Sequence, residues 1–238
     1  MLSSCHGYLL SLCVVFTSVA SNATSNGTST AFLFGIHDSA FNQDFFLGTP
    51  YSQPPISDLR FRVPRSLNSS WSIRSATEWP PFCVGYGRDD TSHDMSEDCL
   101  YLNIFRPCND TLNASLPVAV RIHGGGLFMG ETNDRRCNLS FIIQNSIKMA
   151  KPMIGISFQY PLSGWGFLGG KGALAGGATN LGFRDQRIAL HWIQENMDAF
   201  GGDPSKVTIW GESAGAQSVG AHFLAYNGIP SLSCKGDL

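Results

Sequence analysis

Gly211-Glu212-Ser213-Ala214-Gly215 stands between a short apolar run, residues 206–210 (KVTIW), and a small-residue stretch with helical spacing at residues 214–226. A serine in GxSxG between a strand and a helix sits at a sharp bend that lifts its hydroxyl above the sheet edge. The first N–H groups of the following helix favour negative charge at the same point. Such a serine can attack an acyl carbon, and the tetrahedral intermediate then needs N–H donors on its oxygen. Losing one such donor typically costs about 10²–10³ in rate. His123-Gly124-Gly125-Gly126 follows residues 118–122 (VAVRI) and offers bare backbone for that role. The candidates are therefore Ser213 as nucleophile and the amides of Gly125, Gly126 and Ala214 as oxyanion donors. A plain strand–helix turn and a glycine turn without a role are the alternatives, and each motif argues against the alternative for the other.

Positioning these groups calls for strands that end at one edge. Residues 118–122, 153–158 and 206–210 read as buried strands. Ala189, Trp192, Ile193, Met197 and Phe200 recur at helical spacing within residues 183–200. Strands alternating with helices predict an α/β fold with a mostly parallel sheet wrapped by helices. Residues 169–177 (GGKGALAGG) lack the spacing of a phosphate loop and read as a flexible surface loop. No internal repeat is present.

A serine nucleophile needs a base for its proton and an acid to orient that base. The histidines here do not serve. His222 lies on the same predicted helix as Ser213, nine positions on, about 13.5 Å away at helical rise. His123 belongs to the glycine loop, His191 to the preceding helix, and His37 and His93 to N-terminal segments. Only 25 residues follow Ser213, so the expectation is a chain that stops before its catalytic histidine.

Composition bounds the partners. The charged fraction is 14% and the net charge −2, which gives no electrostatic case for nucleic acid or an anionic membrane surface. Residues 8–16 (YLLSLCVVF) form an apolar run followed by small residues at 18–20, which reads as a secretory signal over residues 1–20, with a buried N-terminal helix as the alternative. The run is too short to span a bilayer, so no stable membrane anchor is expected. Residues 21–30 read as a mobile lead-in. Sequons at Asn22, Asn26, Asn68, Asn109, Asn113 and Asn138 fit export and glycosylation. Beyond the signal remain Cys83, Cys99, Cys108, Cys137 and Cys234, an odd number of disulfide candidates in an oxidising compartment. No CxxC pair or His/Cys spacing suggests a metal, and no cofactor is expected.

From about residue 35 to 227 the chain resembles the type-B carboxylesterase/lipase family, closest in texture to fungal secreted members. Residues 200–204 (FGGDP) leading into VTIWGESAG resemble its serine signature, and residues 96–107 (SEDCLYLNIFRP) its second signature. Residues 46–61 (FLGTPYSQPPISDLRF) are similar to its N-terminal block, and residues 180–204 to the helix before its nucleophile strand. The resemblance implies an α/β-hydrolase fold, truncated here after the nucleophile helix. Residues 31–228 then form the N-terminal part of the domain, and residues 229–238 a tail unlike the family.

The resemblance also implies a Cys83–Cys99 disulfide, leaving the pairing of Cys108, Cys137 and Cys234 open, and a structural ion pair of Arg60 with Glu97. The loop that carries the lid in lipase members is short, which favours an uncovered esterase pocket. Pro161 stands where relatives usually carry an arginine able to pair with the residue at Asp185. The implied activity is serine-type hydrolysis of a small-molecule or lipid carboxylic ester by a secreted protein. A non-catalytic binding or adhesion member and a non-functional truncated product are the alternatives. The strand at residues 206–210 is expected to form a bare sheet edge.

Overall fold

The computed structural model describes residues 14–21, 29–68, 72–87, 94–108, 115–135 and 138–225. Its centre is an eight-stranded sheet in which β1 (Val14–Ser21), β2 (Ser29–Asp38), β3 (Gln43–Pro50), β7 (Tyr101–Pro107), β9 (Ile154–Phe158), β8 (Leu116–Ile122) and β10 (Gly202–Gly211) lie side by side in that order. The short β4 (Ile73–Ser75) pairs with β2, while β5 (Phe82–Cys83) and β6 (Met95–Ser96) form a separate ladder. The helices are α1 (Ser140–Lys148), α2 (Ser163–Phe167), α3 (Lys171–Ala175), α4 (Leu181–Asn196) and α5 (Ala214–Leu224).

The three strands expected from the sequence are β8, β9 and β10, and they are parallel to one another. Parallel neighbours need a crossover; α1 lies between β8 and β9 in the chain, and α4 between β9 and β10. The rest of the sheet corrects the expectation of a mostly parallel one. β1, β2, β3, β7 and β9 pair antiparallel in succession. The reason is connection length: β2 and β3 are separated by residues 39–42 alone, which allows a hairpin and forbids a crossover.

Alternation along the strands divides the core between two faces. Phe46, Ile104, Val120 and Ile156 join Ile188, Trp192, Ile193 and Phe200 in the larger cluster beneath α4. Phe45 and Phe105 pack with Leu139 and Ile143 beside α1 in the smaller one. The Asn138 carboxamide oxygen accepts the Ser140 N–H at 2.9 Å, which satisfies one orphan donor at the start of α1.

Two more sequence readings change. Residues 171–175, read as surface loop, make one helical turn, because Lys-Gly-Ala-Leu-Ala contains good helix formers after Gly170 at φ 102°. Residues 14–20, read as the end of a signal with a buried helix as the alternative, and residue 21 of the lead-in are extended and pair along their length with β2. VVFTSVAS is rich in β-branched residues, so the features that suit an export segment also suit an edge strand. Residues 1–13, most of the lead-in, Cys137, Cys234, His93 and the tail at 229–238 lie outside the described residues. Among the described residues, no helix is long and apolar enough to cross a membrane.

Candidate active site

Ile122 of β8 is registered beside Gly211 of β10 in a parallel pair. The loops leaving their C-terminal ends therefore emerge next to each other at one sheet edge. One is the glycine run after His123 and the other is the bend that carries Ser213. Motifs far apart in sequence meet because their strands are neighbours.

Ser213 has φ 54° and ψ −122°, a strained conformation that persists only where the surroundings over-determine it. Those surroundings are glycine contacts. A Cβ on Gly211 would lie 2.5 Å from the Gly215 carbonyl carbon and 2.7 Å from the Ile122 carbonyl oxygen. A Cβ on Gly215 would overlap that same oxygen. Only glycine at both positions lets strand, bend and helix close on β8. Gly215 then donates its N–H to the Glu212 carbonyl at 2.8 Å, and Gln217 to the Ser213 carbonyl at 3.1 Å. Ser213 is exposed while Ala214 and Gly215 are buried.

The glycine run lies directly against this bend. A Cβ on Gly124 would overlap the Glu212 carboxylate and lie 2.7 Å from the Glu212 carbonyl oxygen. Gly125 and Gly126 hold φ values of 99° and 65°. The Gly125 carbonyl accepts the N–H groups of Phe128 and Met129 at 3.2 and 3.0 Å, which fixes the loop. Among the described residues, the N–H groups of Gly125, Gly126 and Ala214 make no backbone hydrogen bond. A cleft of about 800 Å³ has Gly124, Gly125, Glu212, Arg121 and Trp210 in its walls but not Gly126, Ser213 or Ala214.

The histidines near the bend are committed elsewhere. His123 is 2% exposed, stacks on Tyr160 at 4.3 Å between ring centres, and places Nδ1 3.0 Å from the Gly124 carbonyl. The Tyr160 hydroxyl donates to the His123 carbonyl at 2.8 Å. Burial, helped by Arg121, lowers the His123 imidazole to about 4, so it stays neutral and holds the loop. His222 Nε2 lies 2.9 Å from Gln186 Oε1. Gln186 donates to Ser218 at 3.1 Å, and Ser218 to the Ala214 carbonyl at 2.9 Å. Burial, then Arg187, lowers His222 to about 4 as well. This chain of bonds docks α5 on α4 and is not a base beside Ser213.

The remaining sequence-derived positions are supporting ones. Cys83 and Cys99 form a disulfide with their Cα atoms 5.1 Å apart. Arg60 Nε donates to the Glu97 carboxylate, and the two residues help wall a small cavity of about 20 Å³ with Pro161 and Asp185. Asp185 is 3% exposed, and its Oδ1 has no hydrogen-bond partner among the described residues. Burial raises its carboxyl well above the ordinary range. Pro161 lines the same small cavity, which has room for about one water. Asn68 and Asn138 are exposed; Asn22, Asn26, Asn109 and Asn113 lie outside the described residues.

One grouping has no counterpart in the sequence reading: His37, Asp44 and Cys108 bring possible ligand atoms within 4.8 Å of one another. His37 and Asp44 lie on β2 and β3 and Cys108 just past β7, so no local spacing reveals them. Reading residues 29–50 as a hairpin would have set His37 opposite Asp44.

The model of the carboxylesterase family matches residues 23–228. Lipase 1 of Geotrichum candidum is 37% identical over 220 residues, covering 81% of this chain and 39% of that protein. Secreted lipase 1 of Botryotinia fuckeliana is 39% identical over 204 residues, covering 77% of this chain and 35% of that protein. Among solved structures, Aspergillus niger EstA superposes with a TM-score of 0.72 at 38% identity, over 81% of this chain and 36% of that one. A PNB esterase superposes with a TM-score of 0.76 at 31% identity, over 91% and 42%. The chain thus spans about two fifths of the length of these relatives.

Proposed function

Because the chain belongs to the carboxylesterase family, we propose that it carries the nucleophile of a serine ester hydrolase working through an acyl-enzyme. The observation behind this reading is the strained backbone of Ser213, held by Gly211 and Gly215 against β8 beside the Gly124–Gly126 loop. Ser213 Oγ attacks the carbonyl carbon of a small-molecule or lipid carboxylic ester. The amides of Gly125, Gly126 and Ala214 donate to the oxygen that becomes negative. The alcohol leaves, and water releases the acid from Ser213.

The proton on Ser213 needs a base, and His123 and His222 are both held neutral in other contacts. The base and its orienting acid are proposed to come from sequence beyond residue 238. Loss of a triad histidine can cost about 10⁶ in turnover, so residues 1–238 alone are expected to be nearly inactive. The short span between Cys83 and Cys99 favours an uncovered esterase pocket over one gated at an oil–water interface. Secretion is supported by the disulfide and by the secreted relative.

On protein extended through the downstream sequence that is to supply the base, an organophosphonate probe followed by peptide mass mapping tests the assignment. Adduct on Ser213, lost in Ser213→Ala, is the expected result; adduct elsewhere with Ser213 unmodified would overturn it. Sequencing the transcript past the Leu238 codon tests the source of the base. A family-like histidine and acid downstream support the hydrolase. The placement of both neighbouring histidines away from Ser213 favours a second reading, a non-catalytic binding member, and a stop codon there supports that one.

A further inference from the structure

We infer that His123 is a positioning residue for ester cleavage: its imidazole fixes the peptide unit that carries the Gly125 N–H and so aims that donor at the ester oxygen. This role rests on the ester chemistry proposed for Ser213 and names the side chain that sets its oxyanion site.

A trans peptide is planar, with its C=O and N–H pointing in opposite directions. Whatever holds the carbonyl of a unit from behind therefore decides where its N–H points. The Gly125 N–H shares a unit with the Gly124 carbonyl, the Gly126 N–H with the Gly125 carbonyl, and the Ala214 N–H with the Ser213 carbonyl. All three carbonyls are held. The Ser213 carbonyl accepts the Gln217 N–H at 3.1 Å, and the Gly125 carbonyl accepts those of Phe128 and Met129 at 3.2 and 3.0 Å. The Gly124 carbonyl instead lies 3.0 Å from His123 Nδ1. Two donors are thus aimed by backbone and one by a side chain.

A carbonyl oxygen only accepts, so Nδ1 must carry the imidazole proton. Nε2 is buried with no hydrogen-bond partner among the described residues, and nothing there draws the proton away. The ring is also held in place. It lies on the Tyr160 ring with 4.3 Å between centres and 16° between planes. Tyr160 is itself fully buried and donates its hydroxyl to the His123 carbonyl at 2.8 Å, gripping ring and backbone of one residue together. Gly130 packs against the same bond, since a Cβ there would lie 2.5 Å from Nδ1 and overlap the Gly124 carbonyl oxygen. A bond into the carbonyl further polarises the unit and strengthens its N–H as a donor. Negative charge reaches the ester oxygen only on the way to the tetrahedral intermediate, so a misaimed donor costs turnover rather than substrate binding.

Two measurements test the role. Nitrogen-15 NMR of the full chain, labelled at histidine, reads the tautomer of His123. A proton on Nδ1 at neutral pH is the expected result, and one on Nε2 would overturn the role. Kinetics on protein extended through the downstream sequence read the consequence. His123→Phe keeps a ring on Tyr160 but removes the donor, and should lower kcat about 10- to 100-fold while KM stays within about twofold. Affinity for a trifluoromethyl ketone that mimics the tetrahedral intermediate should fall by the same factor as kcat/KM. His123→Asn, whose carboxamide N–H can reach the same carbonyl, should recover part of the loss. Circular dichroism checks that the variants are folded. Should His123→Phe not fold, Tyr160→Phe keeps the stack, frees only the His123 carbonyl, and should give a smaller loss of the same kind. An unchanged kcat in folded His123→Phe, or in Tyr160→Phe where that variant stands in for it, would refute the positioning role and leave Ser213 as nucleophile. Absence of ester turnover in the unsubstituted extended protein would refute the Ser213 reading instead, with the tautomer still deciding what His123 holds.

Discussion

β9 and β10 are both parallel neighbours of β8, yet all of β9 is buried while β10 is half-buried or exposed over most of its length. Their sequences, IGISF and KVTIW, differ little in apolar character. β9 has β7 on its other side and helix α1 against it. β10 has β8 on one side and, among the described residues, no strand on the other. Burial here follows position in the sheet more than residue type. The lesson for the site is that the Ser213 bend follows the less buried strand but is fixed from the β8 side, through Gly211 and Gly215.

The sharpest way to break the contrast is truncation in each strand. Ile156→Ala in β9 is expected to cost about 2–5 kcal/mol, whereas Ile209→Ala in β10 should cost less than half as much. Urea unfolding of both variants measures it, and equal losses would mean that β10 is as enclosed as β9. Gly215→Ala should act on the bend rather than on the core. Forcing a methyl against the Ile122 carbonyl costs about 1–3 kcal/mol. If that falls on the bend, phosphonate labelling of Ser213 slows about ten- to hundredfold, with the Ile156 core unchanged by hydrogen exchange.

The contacts that hold the two loops also predict a pH dependence. His123 and His222 titrate near 4, lowered from 6.5 mainly by burial. Between those values the unfolded chain binds protons that the native one does not, so the stability from neutral histidine is present above pH 6.5. It is lost as pH falls toward 4, by at most about 1.4 kcal/mol per pH unit for each residue. Melting temperatures across this window should fall with acid, and His222→Gln should flatten the slope. An unchanged slope would show that His222 is not buried against α4.

Asp185 contributes with the opposite sign and a smaller expected effect. Its native carboxyl is raised by burial, so the native state keeps a proton that the unfolded chain releases above the ordinary carboxylate range. The stability tied to that proton is present below about pH 4 and is lost as pH rises. Asp185→Asn should therefore stabilise the protein by about 1 kcal/mol at pH 7, with the gain vanishing toward pH 4. A loss at pH 7 would mean that a bound water or cation already satisfies the carboxylate.

Much of the site was legible from local spacing. GxSxG between an apolar run and a helix fixes a bend wherever the chain goes, because the two glycines are demanded by contacts only a few residues and one strand away. β8, β9, β10, α4 and α5 were all visible as runs of apolar residues with the right period. The antiparallel strands were less legible: β3 and β7 mix buried polar residues such as Gln43, Asn103 and Arg106 with apolar ones, which blurs the alternation. The helical turn at residues 171–175 was masked by its glycines.

By itself, the sequence determined the Ser213 bend, the glycine loop and the fold they belong to, since each depends on backbone freedom and periodicity within short segments. Tertiary structure alone decided what lies beside them. Packing of helices and strands sent His222 to Gln186 and His123 onto Tyr160, buried Asp185 with no partner for its Oδ1 among the described residues, and drew His37 and Asp44 of two strands beside Cys108 at the end of a third. Such meetings depend on which strands become neighbours, and that is set by packing of the whole sheet rather than by the spacing of any one segment.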